Sequence, residues 1–360
     1  MKGVQGVQGV QGVQDKCIRW RYCLALLALL VLPHSSFSQI AGLNTLTVLD
    51  LSSQARTSGL GFDYLSIFDV DPTIAIDNPS LLRREMCGIG SLSFVSVFDG
   101  TSTGSLSYAH HFKKIGTLMF SFRFNSYGSF EGYDEEEMPI GKTSAADYAL
   151  TVGWGTWLDS NLSVGVNFKP VLSHYDVYTA FAVAFDVAGS YVSDDRSLAA
   201  TLMARNIGAQ IATFDGTSET LPFELSAEVS YKLAKAPFRF FFAATELQRW
   251  NLRYEDPNNP TTTVDPFTGE VEKEGLFEGF LDNLMRHTQF GVELNLGKAF
   301  FARVGYSYRQ TAEMSAIDAI NFSGFSFGFG LRTKKFEFSY AHRNYHLGQA
   351  PDFFTLSYRF

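Results

Sequence analysis

The feature that most limits what this chain can fold into is alternation of period two, repeated over segments of about ten residues. Successive side chains of a strand face opposite sides, so each such segment has two faces of different chemistry. Leu118, Phe120, Phe122 and Phe124 share one face, with Ser121, Arg123 and Asn125 on the other. Leu162, Val164, Val166 and Phe168 alternate with Ser163, Gly165, Asn167 and Lys169. The pattern returns over Phe223–Tyr231, Phe290–Asn295, Val304–Arg309 and Phe325–Arg332. A soluble sandwich also alternates, but it must hide its apolar face by pairing sheets. A barrel in lipid turns that face outward and keeps small or polar residues inside. The 34 Phe, 16 Tyr and 31 Gly suit the second arrangement. Phe327 should therefore face lipid and Gly328 the lumen.

The connections support an all-β transmembrane antiparallel barrel of about 14 strands. Short polar turns fall at Lys113-Lys114, Asp159-Ser160-Asn161, Ser193-Asp194-Asp195, Ala234–Pro237, Gly297-Lys298 and Thr333-Lys334-Lys335. Longer connections fall near residues 128–145, 208–222, 251–288, 310–323 and 343–352. Outer-membrane barrels keep short turns in the periplasm and long loops outside, which places both chain ends in the periplasm. The last segment ends in Phe354, Leu356, Tyr358 and Phe360 on one face. The expected lumen carries both signs of charge, in Arg123, Glu224, Glu228, Lys232, Glu293, Arg303, Arg309, Arg332 and Glu337.

The barrel accounts for residues 88–360. Residues 1–38 read as an extension and a secretory signal: a Gly-Val-Gln repeat, then Lys16, Arg19 and Arg21, an apolar run over Cys23–Leu32, and small residues before a cleavage point between Ser38 and Gln39. That apolar run is too short to span a membrane as a helix. Without residues 1–38 the balance is 25 Lys+Arg against 36 Asp+Glu, or −11. This argues against a nucleic-acid partner, which wants a basic face. Only Cys87 remains, so no internal disulfide is expected. Residues 39–87 lose the alternation and carry Pro72 and Pro79, which exclude a central strand. They read as a plug or a periplasmic cap, with Asn78-Pro79 in a turn that can begin a short helix.

No catalytic motif appears: there is no Gly-x-Ser-x-Gly, His-Glu-x-x-His or Cys-x-x-Cys. No cofactor or metal is expected. His110 and His111 are adjacent in a strand and point apart, and His342 and His346 could meet only if a loop folded back. The consecutive acids Asp134–Glu137 lack the alternate spacing of a calcium loop and read as a solvated outer loop. The longest connection, 251–288, contains Leu276, Phe277, Phe280, Leu281, Leu284 and Met285 at helical spacing. That amphipathic helix either packs on the barrel mouth or offers an apolar face to a partner.

One stretch is more specific. Asp71, Ala75, Asn78, Pro79, Ser80 and Leu81, with Ala55-Arg56 and Gly59-Leu60-Gly61 upstream, resemble the fatty-acid-transporter type of barrel found in the type IX secretion system. Further landmarks extend the likeness over nearly all of the chain after residue 38. They include Asp147–Leu150, Arg205-Asn206-Ile207-Gly208, Leu221-Pro222-Phe223-Glu224, Ala236-Pro237-Phe238-Arg239-Phe240 and Leu247-Gln248-x-Trp250. The resemblance implies a non-enzymatic barrel in the outer membrane of a Gram-negative bacterium. It would anchor a PorZ-like surface protein, with PorU and PorV in a larger complex that attaches cargo to lipopolysaccharide. The competing expectations are a channel of the fatty-acid-transporter type for a hydrophobic solute, and a general porin.

Overall fold

The computed structural model describes residues 45–360 except 51, 99, 134–135, 137, 254–262, 265–270, 273–274, 298, 315–321 and 346–349. The Ser38-Gln39 point thus lies outside the described residues, as does His346.

Fourteen antiparallel strands close a barrel. They are β1 (Ile89–Phe98), β2 (Thr101–Phe112), β3 (Gly116–Tyr133), β4 (Pro139–Trp157), β5 (Leu162–Tyr175), β6 (Tyr178–Val192), β7 (Leu198–Ala212), β8 (Glu224–Lys232) and β9 (Phe238–Ala244), then, beyond a two-stranded ribbon of β10 (Thr263–Val264) and β11 (Val271–Glu272), β12 (Thr288–Leu296), β13 (Phe300–Ser307), β14 (Phe325–Arg332), β15 (Phe336–Arg343) and β16 (Asp352–Arg359). Each barrel strand pairs with its neighbour, and β1 closes on β16 with Ile89 opposite Arg359 and Ser96 opposite Asp352. The expected barrel of about 14 strands is therefore the observed one, with an N-terminal segment plugging it. Two helices stand at the loop end, α3 (Leu276–Arg286) and α4 (Tyr308–Met314); the plug holds α1 (Ala55–Ser58) and α2 (Pro72–Asp77).

Alternation sets the two faces as expected. Along β8, Glu224, Ser226, Glu228 and Ser230 are buried, while Tyr231 and the Phe223 just before the strand are exposed. Phe327 is half exposed on the outer wall, and Gly328 lies inward, where an added Cβ would meet Ala341. The six short turns all sit at one end.

Several expectations change. The connection near 128–145 is mostly strand, because β3 and β4 continue as a ribbon paired down to Tyr133–Pro139. Gly and acidic residues there resemble a loop, but a ribbon beyond the apolar band need not alternate apolar with polar. Of the acidic run, Asp134, Glu135 and Glu137 lie outside the described residues. Two of the connections at the loop end are short: β1 ends at Phe98 and β2 begins at Thr101, and β5 ends at Tyr175 and β6 begins at Tyr178. Tyr308 and Arg309 do not continue β13; they begin α4, and Arg309 pairs with Glu246 and Glu313 at the barrel mouth. Lys232 is exposed at the rim, not inside, because β8 ends there.

The wall is uneven. β3 to β7 run 18, 19, 14, 15 and 15 residues, while β8, β9 and β12 to β16 run only 7 to 9. Strands tilted by roughly 40° rise about 2.6 Å per residue along the barrel axis, so the shorter side reaches about 18–23 Å against a typical apolar band of about 25 Å.

Candidate functional site: the plugged lumen

The plug enters the lumen as a chain of turns, and each turn has a local cause. Asp71 caps α2: its Oδ1 accepts from Thr73 N at 3.0 Å, and Pro72 occupies the first helical position, where its missing N–H costs nothing. Ala75 and Ile76 bury that helix against Met86, Ala109 and Met119. Asn78 ends it. Pro79 then starts a single 3-10 turn, Pro79–Leu81, as Asn-Pro favours. Asn78 Nδ2 donates to Leu65 O at 3.2 Å and to Thr201 Oγ1 at 3.1 Å, while Ser80 Oγ donates to Asn78 Oδ1 at 2.6 Å. Leu81 joins Leu60, Phe62, Leu65, Ile67 and Ile74 in the main apolar cluster, together with Val192 and Phe241 of the wall. Asp71, Ala75, Asn78, Pro79 and Leu81 thus share one compact part of the plug.

The wall makes room for these turns with small residues. A Cβ on Gly165 would stand 2.3 Å from Pro79 C and 2.4 Å from Ser80 N; one on Gly305 would stand 1.9 Å from Leu60 O. Backbone meets backbone at both points, so only glycine fits. Ala182 and Ala184 receive Leu46, Val48 and Leu49 in the same way.

Charge organises the side formed by β9, β12 and β13. Arg56, 2% exposed, gives Nη2 to Asp69 Oδ2 at 2.6 Å, Nη1 to Asp71 Oδ2 at 3.0 Å, and Nε and Nη2 to Glu293 at 3.2 and 3.1 Å. Arg303, 1% exposed, gives Nε to Glu293 at 2.9 Å, and Arg239 gives Nη1 to Asp69 at 3.1 Å. Three guanidiniums thus meet three carboxylates drawn from the plug, β9, β12 and β13. Other expected lumen charges that do lie inside also find partners: Arg123 meets Asp77 at 3.2 Å, Arg332 meets Glu337 at 2.6 Å, and Glu228 accepts from Ser66 N at 2.9 Å. Sequence reasoning noted Arg56 only as a landmark. Its role as a hub had one local sign, an arginine in a glycine- and serine-rich segment followed by Asp69 and Asp71.

Several separate landmarks meet in space. Asn206 takes a left-handed backbone, φ +57°, at a bulge where the β6–β7 register shifts. Its N donates to Asp186 Oδ1 at 2.9 Å, its Nδ2 to Pro222 O at 2.9 Å, and its Oδ1 accepts from Lys169 Nζ at 2.5 Å. Arg205 pairs with Glu224 at 3.1 Å. Gln248 donates to Phe223 O at 2.9 Å and accepts from Leu225 N at 2.8 Å. At the loop end of the lumen, above the plug, lies a polar cavity of about 280 Å³, whose lining includes Asp50, Arg205, Glu224, Glu246 and Arg309. A second cavity of about 250 Å³ is more apolar, lined by Val95, Val97, Tyr345, Pro351 and Phe353.

Helix α3 covers the expected Leu276 to Met285 segment. Phe277, Phe280, Leu281 and Leu284 are exposed, and Met285 is half-buried. His110 and His111 face opposite ways: His110 stacks with Tyr108 on the outside and His111 Nδ1 lies 3.0 Å from Thr117 Oγ1. His342 Nδ1 lies 2.9 Å from Asp352.

No family model and no curated protein matches this sequence. Solved structures do. The toluene transporter TodX of P. putida is similar over 87% of this chain and 99% of its own, at 10% identity and a TM-score of 0.51. A Pseudomonas aeruginosa FadL homologue is similar over 90% and 100%, at 11% identity and a TM-score of 0.42. What this chain shares with TodX at that identity is the fold, a closed antiparallel β-barrel, which in this chain has 14 strands.

Proposed function

We propose that this chain is a non-enzymatic barrel of a Gram-negative outer membrane that holds a surface protein through its outer loops. The observation that carries this reading is the lumen network. Arg56, Arg239 and Arg303 tie the plug to the wall through Asp69, Asp71 and Glu293, and the plug touches opposite walls at Arg56 and at Pro79. Moving a solute through that level would separate buried charges, and an apolar solute beside an unpaired charge costs several kcal/mol. The sequence landmarks add the finer identity: they resemble the type IX secretion protein PorQ, whose partners would be a PorZ-like protein with PorU and PorV. A barrel that fixes both ends of a loop also lowers the entropy cost of ordering that loop on a partner.

A second reading is a channel for a hydrophobic solute. The barrel it shares with TodX favours it, and so does the apolar cavity beside Val95, Val97 and Phe353. One experiment separates the two. Deleting residues 256–275 should leave a heat-resistant barrel and release the surface partner to the medium. Retention of the partner would move the interface elsewhere. Uptake or conductance by the purified barrel, with no partner recovered from cells, would overturn anchoring in favour of the channel.

A further inference from the structure

Helix α3 is amphipathic, yet its polar face is the one turned to the protein. Asn283 donates to Trp250 O and accepts from Leu252 N at 2.9 Å, so one side chain pins the strand-to-helix connection. Asp282 accepts from Arg286 Nε at 2.8 Å and from Tyr308 Oη at 2.7 Å. The apolar residues lie on the other face at positions i, i+3, i+4 and i+7 and stay exposed, with Trp250 against Phe280. Phe277 is 72% exposed, Phe280 49%, Leu281 41% and Leu284 39%.

Position decides what covers this face. Tyr308, the first residue of α4 directly after β13, holds Asp282, and α3 runs through His287 into β12, so both ties fix it at the rim of the wall formed by β12 and β13. The apolar face of the helix and Trp250, itself 52% exposed, stay open to the surroundings. Phe280 packs on Trp250 at 5.4 Å, and Trp250 stacks on His287 at 5.5 Å, directly before β12. Just below, Phe290 of β12 meets Phe242 of β9 at 5.2 Å on the outward face. An apolar surface therefore continues from the strands toward the helix. It does so where β9, β12 and β13 have only 7, 9 and 8 residues and fall short of a full apolar band.

We propose that α3 is seated in lipid: Phe277, Phe280, Leu281 and Leu284 lie among the acyl chains of the leaflet at the loop end and complete the apolar band above the short strands. Helices that lie in an interface bury one apolar face and keep the polar face away from the chains. Here the polar face is satisfied by the barrel itself. This assignment is independent of what the outer loops hold.

Spin labels test it on the full barrel. Phe280→Cys and Leu284→Cys, each with Cys87→Ser, are reconstituted in phosphatidylcholine vesicles beside Phe327→Cys on the lipid wall and Lys334→Cys on a turn. Unheated gel mobility confirms assembly. Collision with oxygen relative to a water-soluble nickel chelate should be several-fold higher at 280 and 284 than at 334, and close to that at 327. Values equal to those at 334 overturn the proposal. So does a nickel-accessible helix that becomes protected only when surface proteins are added, which would assign the face to a protein. Should a label prevent assembly, quenching of Trp250 by brominated acyl chains, taken as the difference from Trp250→Phe, reads the same contact. Quenching must be present, and its absence rejects the seat in lipid.

Discussion

The plug meets the barrel in two zones that use different chemistry. Against β4 to β7 it presents Asn78, Pro79 and Ser80 to hydroxyls and glycines: Ser80 Oγ lies 2.6 Å from Ser190 Oγ, Asn78 reaches Thr201, and Gly155 and Gly165 admit Pro79. Against β9, β12 and β13 it presents Arg56, Asp69 and Asp71 to Arg239, Glu293 and Arg303. The two zones differ in how they fail. A neutral contact that loses one partner loses roughly a hydrogen bond, about 1 kcal/mol. A buried ion pair adds little net stability when whole, because desolvation offsets attraction, but removing one member leaves a charge stranded. The neutral zone sets fit and the charged zone makes the plugged arrangement all-or-none.

The largest expected effect is in the charged zone. Arg56→Met should lower unfolding free energy by about 3–5 kcal/mol, the range for stranding a buried charge, as read by loss of heat-resistant gel mobility. Adding Asp71→Asn should recover part of the loss, since the carboxylate that Arg56 leaves alone is then neutral while Glu293 still holds Arg303. If Arg56→Met proved no worse than Ser80→Ala, the contrast between the zones would collapse. Next comes shape. Gly165→Ala pushes a methyl into the Pro79 backbone and should cost about 1–3 kcal/mol, with protease sensitivity rising in the plug while the strands stay protected. Ser80→Ala should cost only about 1 kcal/mol, and a loss as great as that of Arg56→Met would show that the neutral zone is also cooperative.

The smallest effect lies outside both zones and calibrates them. Asp195, in the turn before β7, accepts from Ser193 Oγ at 2.6 Å and from Ser197 N and Oγ at 3.1 and 2.9 Å, which lowers its pKa to about 2. A carboxylate held below its unfolded value, near 4, supports the turn above that pH and loses its contribution as pH falls through about 2. Exchange protection of 193–197, corrected for intrinsic rates, should fall between pH 4 and 2 and should do so less in Asp195→Asn. Equal pH dependence in both proteins would remove Asp195 as the cause.

The barrel was legible in the sequence because its signal is local. Alternation over Phe223–Tyr231 or Phe325–Arg332 needs no distant partner to be read, and the small lumen face of Gly, Ser and Asn announced that something would lie close to it. The charged lumen positions were legible as positions, but not their pairing. Arg56 and Glu293 are 237 residues apart, and nothing in either neighbourhood names the other. Arg309 lines the lumen cavity as expected, but it was read as strand for a related reason: the period of β13 continues through Tyr308 while the backbone has already turned into α4. The upper ribbon of β3 and β4 was hidden because a strand outside the apolar band loses the alternation that marks the rest. For α3, the periodicity gave the helix, but the direction of its apolar face came only from Asn283, Asp282 and Tyr308.

The closing seam bears on the kinetics of folding. Phe360 N donates to Gly88 O at 2.9 Å, and Ala55 N donates to Thr355 Oγ1 at 3.0 Å across 300 residues of chain. The plug leads the barrel in sequence, yet it is held by the last strand in sequence. Contacts of such separation form slowly, because the intervening loop must be closed before they repay it. Zipping β16 onto β1 and capturing α1 then become one late step, and a chain halted before Thr355 keeps both an open sheet edge and an unanchored plug.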